Sequence, residues 1–98
     1  MPLIIDPEEN EIRALEGVAA WRGTRVLEIG CGGGRLTERL AELGAVVDAI
    51  DPDPALVRKA RASLPEQFAR SVRFKAGSAE RLAHPPEKFD AVVFAWAL

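Results

Sequence analysis

Apolar residues in this chain alternate between short continuous runs and stripes of helical period. Four apolar runs predict buried strands, at residues 25–29, 45–50, 71–76 and 89–95. Stripes spaced by three and four residues predict helices between them, at 6–23, 35–43 and 53–64, with a single further turn at 78–83. Helix signals agree with these positions, because Pro54 suits a first helical turn and Gly44 suits the end of the second helix.

The order of elements is therefore helix, strand, helix, strand, helix, strand, short turn, strand. Strands that alternate with helices predict right-handed crossovers and a parallel, doubly wound sheet. Nearly continuous apolar strands support this prediction, because a parallel sheet is covered on both faces. The 98 residues amount to one domain at most, and we expect residues 1–98 to form a single one.

Composition indicates which binding partners and which cellular compartment to expect. The formal net charge is −2, which does not indicate nucleic acid binding or attraction to anionic lipid. No apolar run is long enough for a membrane span, and no signal segment opens the chain. The single Cys31 allows no internal disulfide. We therefore expect a cytoplasmic protein without a membrane partner.

The segment VLEIGCGGGRL, residues 26–36, contains four glycines within five positions, between a predicted strand and a predicted helix. Such a turn brings backbone N–H groups close to a ligand at a helix N-terminus. The dinucleotide pattern G-x-G-x-x-G fails, because Arg35 occupies its last glycine position when it starts at Gly30. The P-loop pattern fails too, since no Gly-Lys-Ser/Thr follows.

The pattern that fits is E-x-G-x-G-x-G, and Asp51 follows at the end of the next strand. Through these residues the chain resembles the class I S-adenosylmethionine-dependent methyltransferases, from about Val26 to its last residue. The resemblance implies a Rossmann-like three-layer α/β sandwich with a mostly parallel sheet. It also implies S-adenosylmethionine as cofactor, S-adenosylhomocysteine as product, and methyl transfer as the reaction.

Asp51 has a rationale independent of the family. A carboxylate at the carboxyl end of the strand beside a glycine loop is placed to accept both ribose hydroxyls. The alternative is that Asp51 caps the following helix, although Asp53 is available for that role. By resemblance, Glu28 helps to hold the amino acid end of the cofactor. The remaining loop residues implied in the site bring the backbone against its methionine and ribose: Gly30, Cys31, Gly32 and Gly34.

Five residues farther along complete the site that the resemblance implies. Pro52 packs beside the adenine, while Ser78 and the backbone of Ala79 read its edge. The family commonly has Asp where this chain has Ser78, which weakens the expected contact with the adenine amino group. Carbonyl groups near Phe94 and Ala95 accept hydrogen bonds from the cofactor's ammonium. No metal site is expected, because the only histidine, at position 84, has no second ligand at metal spacing.

Groups that bind the methyl acceptor largely follow the fourth strand in this family, so neither the acceptor nor a catalytic base is predicted. A small-molecule acceptor is favoured. The usual sheet has seven strands, whereas the apolar runs predict about four, so we expect a domain that is incomplete at its C-terminus. The fourth strand would then be an unprotected apolar edge. We expect either a piece of a longer methyltransferase or a homodimer that pairs through this edge. A non-catalytic module that binds S-adenosylmethionine and, less favoured, an NAD-binding oxidoreductase domain are the alternatives.

Overall fold

The computed structural model describes residues 3–5, 21–78 and 88–95, with the backbone alone described for the first of these ranges. Within them the chain forms five strands, two α-helices and one turn of 3₁₀ helix. The strands are β1 (Leu3–Ile5), β2 (Arg25–Ile29), β3 (Val46–Asp51), β4 (Val72–Ala76) and β5 (Ala91–Phe94). The helices are α1 (Arg35–Glu42) and α2 (Pro54–Ser63), followed by the 3₁₀ turn Glu66–Phe68.

The five strands of the described residues form one parallel sheet in the order β1-β5-β2-β3-β4. Ile29 of β2 is aligned with Ile50 of β3 on one side and with Phe94 of β5 on the other. The carboxyl ends of these three strands therefore lie together at one edge of the sheet. The α/β class and the parallel sheet predicted from the sequence are confirmed.

One prediction about the sheet is wrong. Strand β5, predicted to be an exposed edge, lies between β1 and β2, and Ile4 of β1 is aligned with Val92. The sequence pattern missed β1 because Leu3–Ile5 is only three residues long and lies directly before a proline-containing helix signal. Pairing of two copies through β5 thereby loses the physical basis on which it was expected.

Side chains on both faces of the sheet are buried, as a three-layer arrangement requires. On one face, Leu36 and Leu40 of α1 pack against a cluster of sheet residues that includes Val26, Val47 and Val93. The opposite face carries a second cluster, made by Leu27, Ile29, Ile50, Phe89 and Val92. The start of α1 approaches α2 at Gly34, which is close to Ala60 of α2.

The helix ends follow the sequence signals. Asp53 caps α2, since its side chain accepts a hydrogen bond of 2.9 Å from the backbone N–H of Ala55. Gly44 follows α1 in the left-handed conformation, with φ of 93°. The helix predicted at 6–23 lies outside the described residues apart from its last three positions, which are not helical. The predicted turn at 78–83 lies outside them after Ser78.

Candidate functional site: a cleft between the glycine loop and Asp51

The loop between β2 and α1 is held against the neighbouring strand by backbone hydrogen bonds. The N–H groups of Gly30 and Cys31 both donate to the carbonyl of Ile50, at 2.8 and 3.0 Å. Gly34 then donates to the carbonyl of Cys31 at 3.0 Å, which closes a tight turn directly before α1. Gly32 within this turn has φ of 53°, in the region that side chains rarely adopt. The loop is thus fixed at the carboxyl end of the sheet.

Asp51 ties the glycine loop to the end of β3. One carboxylate oxygen accepts from the backbone N–H of Gly32, and the other accepts from the N–H of Asp53, each at 2.9 Å. Asp51 is only 8% exposed, and it lines the cleft described in the next paragraph. A carboxylate has about four lone-pair positions, so each oxygen keeps acceptor capacity for a ligand. Since Asp53 caps α2, the capping alternative for Asp51 is not needed.

A cleft of about 330 Å³ lies between these elements. Arg35 and Asp51 are its two charged lining residues among those described. This volume is within the range for small-molecule sites. The complete lining is Gly30, Cys31, Gly32, Gly33, Arg35, Leu36, Asp51, Leu56 and Ala95. A larger hollow of about 500 Å³ lies beside β4, but none of the predicted site residues lines it.

Glu28 is fully buried beneath the glycine loop. Its Oε1 accepts a hydrogen bond from the hydroxyl of Thr37, whose side chain is also fully buried. Its Oε2 has no hydrogen-bond partner within the described part of the chain. Burial raises the pKa of the Glu28 carboxyl to about 7, and the hydrogen bond from Thr37 opposes this rise. Near neutral pH the carboxyl is therefore poised between its two protonation states.

The structure brings together part of the set predicted from the sequence. Five of those residues line the cleft: Gly30, Cys31, Gly32, Asp51 and Ala95. The other described residues of the set do not line it: Glu28 and Gly34 are buried, Pro52 is exposed, and Ser78 and Phe94 are partly buried. Ala79 lies outside the described residues. The contact of each residue with a ligand stays a prediction.

Four residues of the lining were not selected from the sequence, namely Gly33, Arg35, Leu36 and Leu56. Arg35 entered the sequence argument only as the residue that breaks the dinucleotide pattern. Leu56 lies in the first turn of α2, and the helical stripe of that segment identified it as a core position. Arg35 and Leu56 could have been selected from the predicted topology of the sheet. Residues that follow two neighbouring parallel strands come together at one edge of the sheet.

Cys31 lines the cleft but is poorly suited to nucleophilic chemistry. The side chain is 6% exposed, and burial, together with the negative charges of Glu28 and Asp51, raises the pKa of its thiol to about 12. Because the thiolate is the reactive form, we expect a soluble disulfide reagent at pH 8 to label Cys31 about a hundredfold or more slowly in the folded chain than in urea. Equal rates in the two states would contradict a structural role for this thiol.

A parallel sheet, a glycine turn leading into a helix, and a carboxylate at the end of the adjacent strand define a nucleoside-binding α/β domain of the Rossmann-like class. Residues 26–98 match the family model described as a methyltransferase domain. The chain therefore belongs to the S-adenosylmethionine-dependent methyltransferase family, as the resemblance in the glycine loop indicated.

Curated relatives agree with this assignment. A ubiquinone biosynthesis O-methyltransferase of Azorhizobium caulinodans is 43% identical over 72 residues, which cover 74% of this chain and 28% of that protein. A protein of the same name from Xanthomonas campestris pv. campestris is 49% identical over 71 residues, covering 71% of this chain and 29% of the relative. The match thus spans less than a third of the length of either relative.

Solved structures show the same fold. Magnesium protoporphyrin IX methyltransferase from Synechocystis PCC 6803, crystallised with S-adenosylmethionine, superposes with a TM-score of 0.74 at 25% identity. That match covers 89% of this chain and 41% of the other. An S-adenosylmethionine-dependent methyltransferase from Mesorhizobium loti gives a TM-score of 0.70 at 25% identity, over 86% of this chain and 37% of the other. Membership in the methyltransferase family is supported over the oxidoreductase alternative.

Proposed function

We propose that this chain is the cofactor-binding half of an S-adenosylmethionine-dependent methyltransferase that transfers a methyl group to a hydroxyl oxygen of a small molecule. The observation that carries the proposal is the cleft at the carboxyl ends of β2 and β3, where the carboxylate of Asp51 holds Gly32. Family membership supports the class of ligand, and the cleft supports the position that we propose for it.

The residues around the cleft suit the parts of such a ligand. Asp51 retains lone pairs for the two ribose hydroxyls. The backbone at Gly30 and Gly32 leaves room for the ligand, because no Cβ projects from the loop there. Leu56 offers an apolar surface at the end of the cleft nearest α2, and Ala95 closes the side toward β5. Pro52 and Ser78 are proposed to lie beside the adenine.

The cofactor supplies an activated methyl group on a sulfonium sulfur. The protein's part in such a transfer is to align the acceptor with the methyl group and to exclude water. Residues that bind the acceptor, and a base if one is used, are proposed to belong to parts of the protein other than the described cleft. This division agrees with the small share of the relatives' length that the chain matches.

The nature of the acceptor is proposed from the relatives and from charge. Both curated relatives are named as O-methyltransferases of ubiquinone biosynthesis, which favours a hydroxylated small molecule. A net charge of −2 does not favour a nucleic acid acceptor. Within residues 3–5, 21–78 and 88–95, no helix is both long and apolar enough to cross a bilayer. We propose a cytoplasmic location.

Calorimetric titration of the chain with S-adenosylmethionine, S-adenosylhomocysteine and NAD tests the ligand class. We expect both sulfur nucleosides to bind at one site and NAD to bind at least tenfold more weakly, since Arg35 stands where the dinucleotide pattern needs its last glycine. Binding of NAD without binding of either sulfur nucleoside would contradict the proposal. Methyl transfer to a hydroxylated ubiquinone precursor by a protein containing this chain separates an enzyme from a binding module.

A further inference from the structure

Glu28 and Thr37 form a polar pair inside an otherwise apolar layer between the sheet and α1. The strand residues aligned with Glu28 are Ala49 of β3 and Val93 of β5, and both are fully or almost fully buried. Helix α1 presents Leu36 and Thr37 as buried residues at this level. The Thr37 hydroxyl occupies one oxygen of the Glu28 carboxyl, while the other oxygen has no partner among the described residues.

A carboxyl group that served only the fold would have both oxygens bonded, because an unpartnered buried polar atom costs about 1–3 kcal/mol. An ionised carboxylate without a cation in this layer costs more. Glu28 interacts electrostatically with the Cys31 thiol in the glycine loop, and Asp51, at the end of β3, acts on the same thiol. Neither supplies a positive charge. The free Oε2 is therefore an acceptor that the described part of the chain leaves unused.

We propose that Thr37 is a positioning residue, which holds the Glu28 carboxyl by one oxygen so that the other is kept for the ammonium group of the ligand's amino acid end. This inference rests on the proposed function and deepens it. On binding, the ligand ammonium would replace the proton that Glu28 carries. A protonated Glu28 gives its proton to solvent, and the carboxylate then faces the ligand ammonium, directly or through water.

The expected pH dependence follows from the state of Glu28 in the free chain. Burial raises the pKa of this carboxyl to about 7, so below neutral pH the group carries a proton that binding must displace. A bound ammonium favours the ionised form. Affinity for an amine-bearing ligand should therefore rise as the pH rises, by about tenfold between pH 6 and pH 8. A ligand without the amine should show no such rise.

The role of Thr37 can be measured as the pH at which the affinity for the ligand rises. A hydroxyl that donates to a carboxylate stabilises the ionised form, and this bond opposes the effect of burial on the pKa of Glu28. Valine has nearly the same shape as threonine without the hydroxyl. In Thr37→Val, Glu28 should keep its proton to a higher pH, so the rise in affinity should move to a higher pH. Thr37→Ser should restore the original profile.

Two ligands and three variants provide the test. S-adenosylhomocysteine carries the amine, whereas 5′-methylthioadenosine has the same nucleoside and a thioether but lacks the amino acid end. Each would be titrated from pH 6 to pH 8 into the original chain, Thr37→Val, Thr37→Ser and Glu28→Gln. The amine of S-adenosylhomocysteine titrates identically throughout, so differences between the profiles belong to the protein.

We expect Thr37→Val to weaken S-adenosylhomocysteine binding about threefold or more at pH 7 while 5′-methylthioadenosine affinity stays within about twofold. Glu28→Gln should remove the pH dependence, which keeps the inference testable if Thr37→Val does not fold. Equal weakening of both ligands, or an unchanged profile in Thr37→Val, would overturn it. If both ligands bind the original chain without pH dependence, this inference fails and the proposed function stands. If neither binds, the proposed function itself fails.

Discussion

Replacing Asp51 with alanine is expected to lower the affinity for S-adenosylmethionine about tenfold to a hundredfold. The change removes the proposed acceptor of the ribose hydroxyls. It also removes the carboxylate that accepts from the N–H groups of Gly32 and Asp53, so the glycine loop loses its tie to β3. Hydrogen bonds to a charged group contribute about 1.5–3 kcal/mol, which corresponds to this loss in affinity. Titration calorimetry at constant pH measures it.

Asp53→Ala is the matched control, because Asp53 is a nearby exposed aspartate with a purely local partner, the N–H of Ala55. Loss of this cap should lower the free energy of unfolding by about 1 kcal/mol. Cofactor affinity should stay within about twofold, since the side chain does not line the cleft. Unchanged affinity in Asp51→Ala would exclude Asp51 from the site. An equal loss in both variants would assign the effect to the turn rather than to the ligand.

Gly34→Ala is expected to lower the free energy of unfolding by about 2–4 kcal/mol. Gly34 has φ of 87°, and a Cβ added there would lie 3.0 Å from the Cβ of Ala60 and 3.6 Å from the ring of Phe74. The backbone conformation is unfavourable for alanine, and the added methyl group pushes α2 away from the start of α1. Urea unfolding followed by circular dichroism measures the change.

Gly33→Ala is the control for this effect, one residue earlier in the same loop. A Cβ added at Gly33 has nothing within 4 Å, and the backbone there is not in the positive-φ region. Its effect on unfolding should stay within about 0.5 kcal/mol. Comparable destabilisation by the two substitutions would mean that neither the positive φ nor the close approach of Ala60 is what requires glycine at position 34.

Much of the fold could be predicted because buried parallel strands have a simple signature. The bounds of β2 match the apolar run 25–29. Strand β4 begins one residue later than its predicted run, and β3 is displaced by one residue at both ends. Strand β1 could not be predicted in this way, since Leu3–Ile5 is too short for periodicity to appear. Its pairing with β5 depends on the whole sheet, and missing it led to the wrong assignment of the sheet edge.

The sequence predicted which residues form the candidate site better than it predicted the hydrogen bonds between them. Motif spacing selected Asp51 and the glycines, but the hydrogen bond from Gly32 to Asp51 joins residues 19 positions apart. The pair of Glu28 and Thr37 likewise joins a strand to the following helix. No local pattern encodes such contacts, because they arise only when strand register and helix packing are combined. The apolar run placed Glu28 in a buried strand, but neither its bond to Thr37 nor its unpartnered oxygen could be predicted from the sequence.

The central claim is that the glycine loop and Asp51 bind the cofactor, and an amide spectrum recorded during titration with S-adenosylhomocysteine tests it most directly. The ¹⁵N-labelled chain would be assigned and its backbone resonances followed. We predict that the largest shifts fall at residues 30–34 and at Asp51 and Asp53, with small shifts in β4 and at the far end of α2. Saturable shifts centred on the hollow beside β4, with the glycine loop unchanged, would contradict the claim.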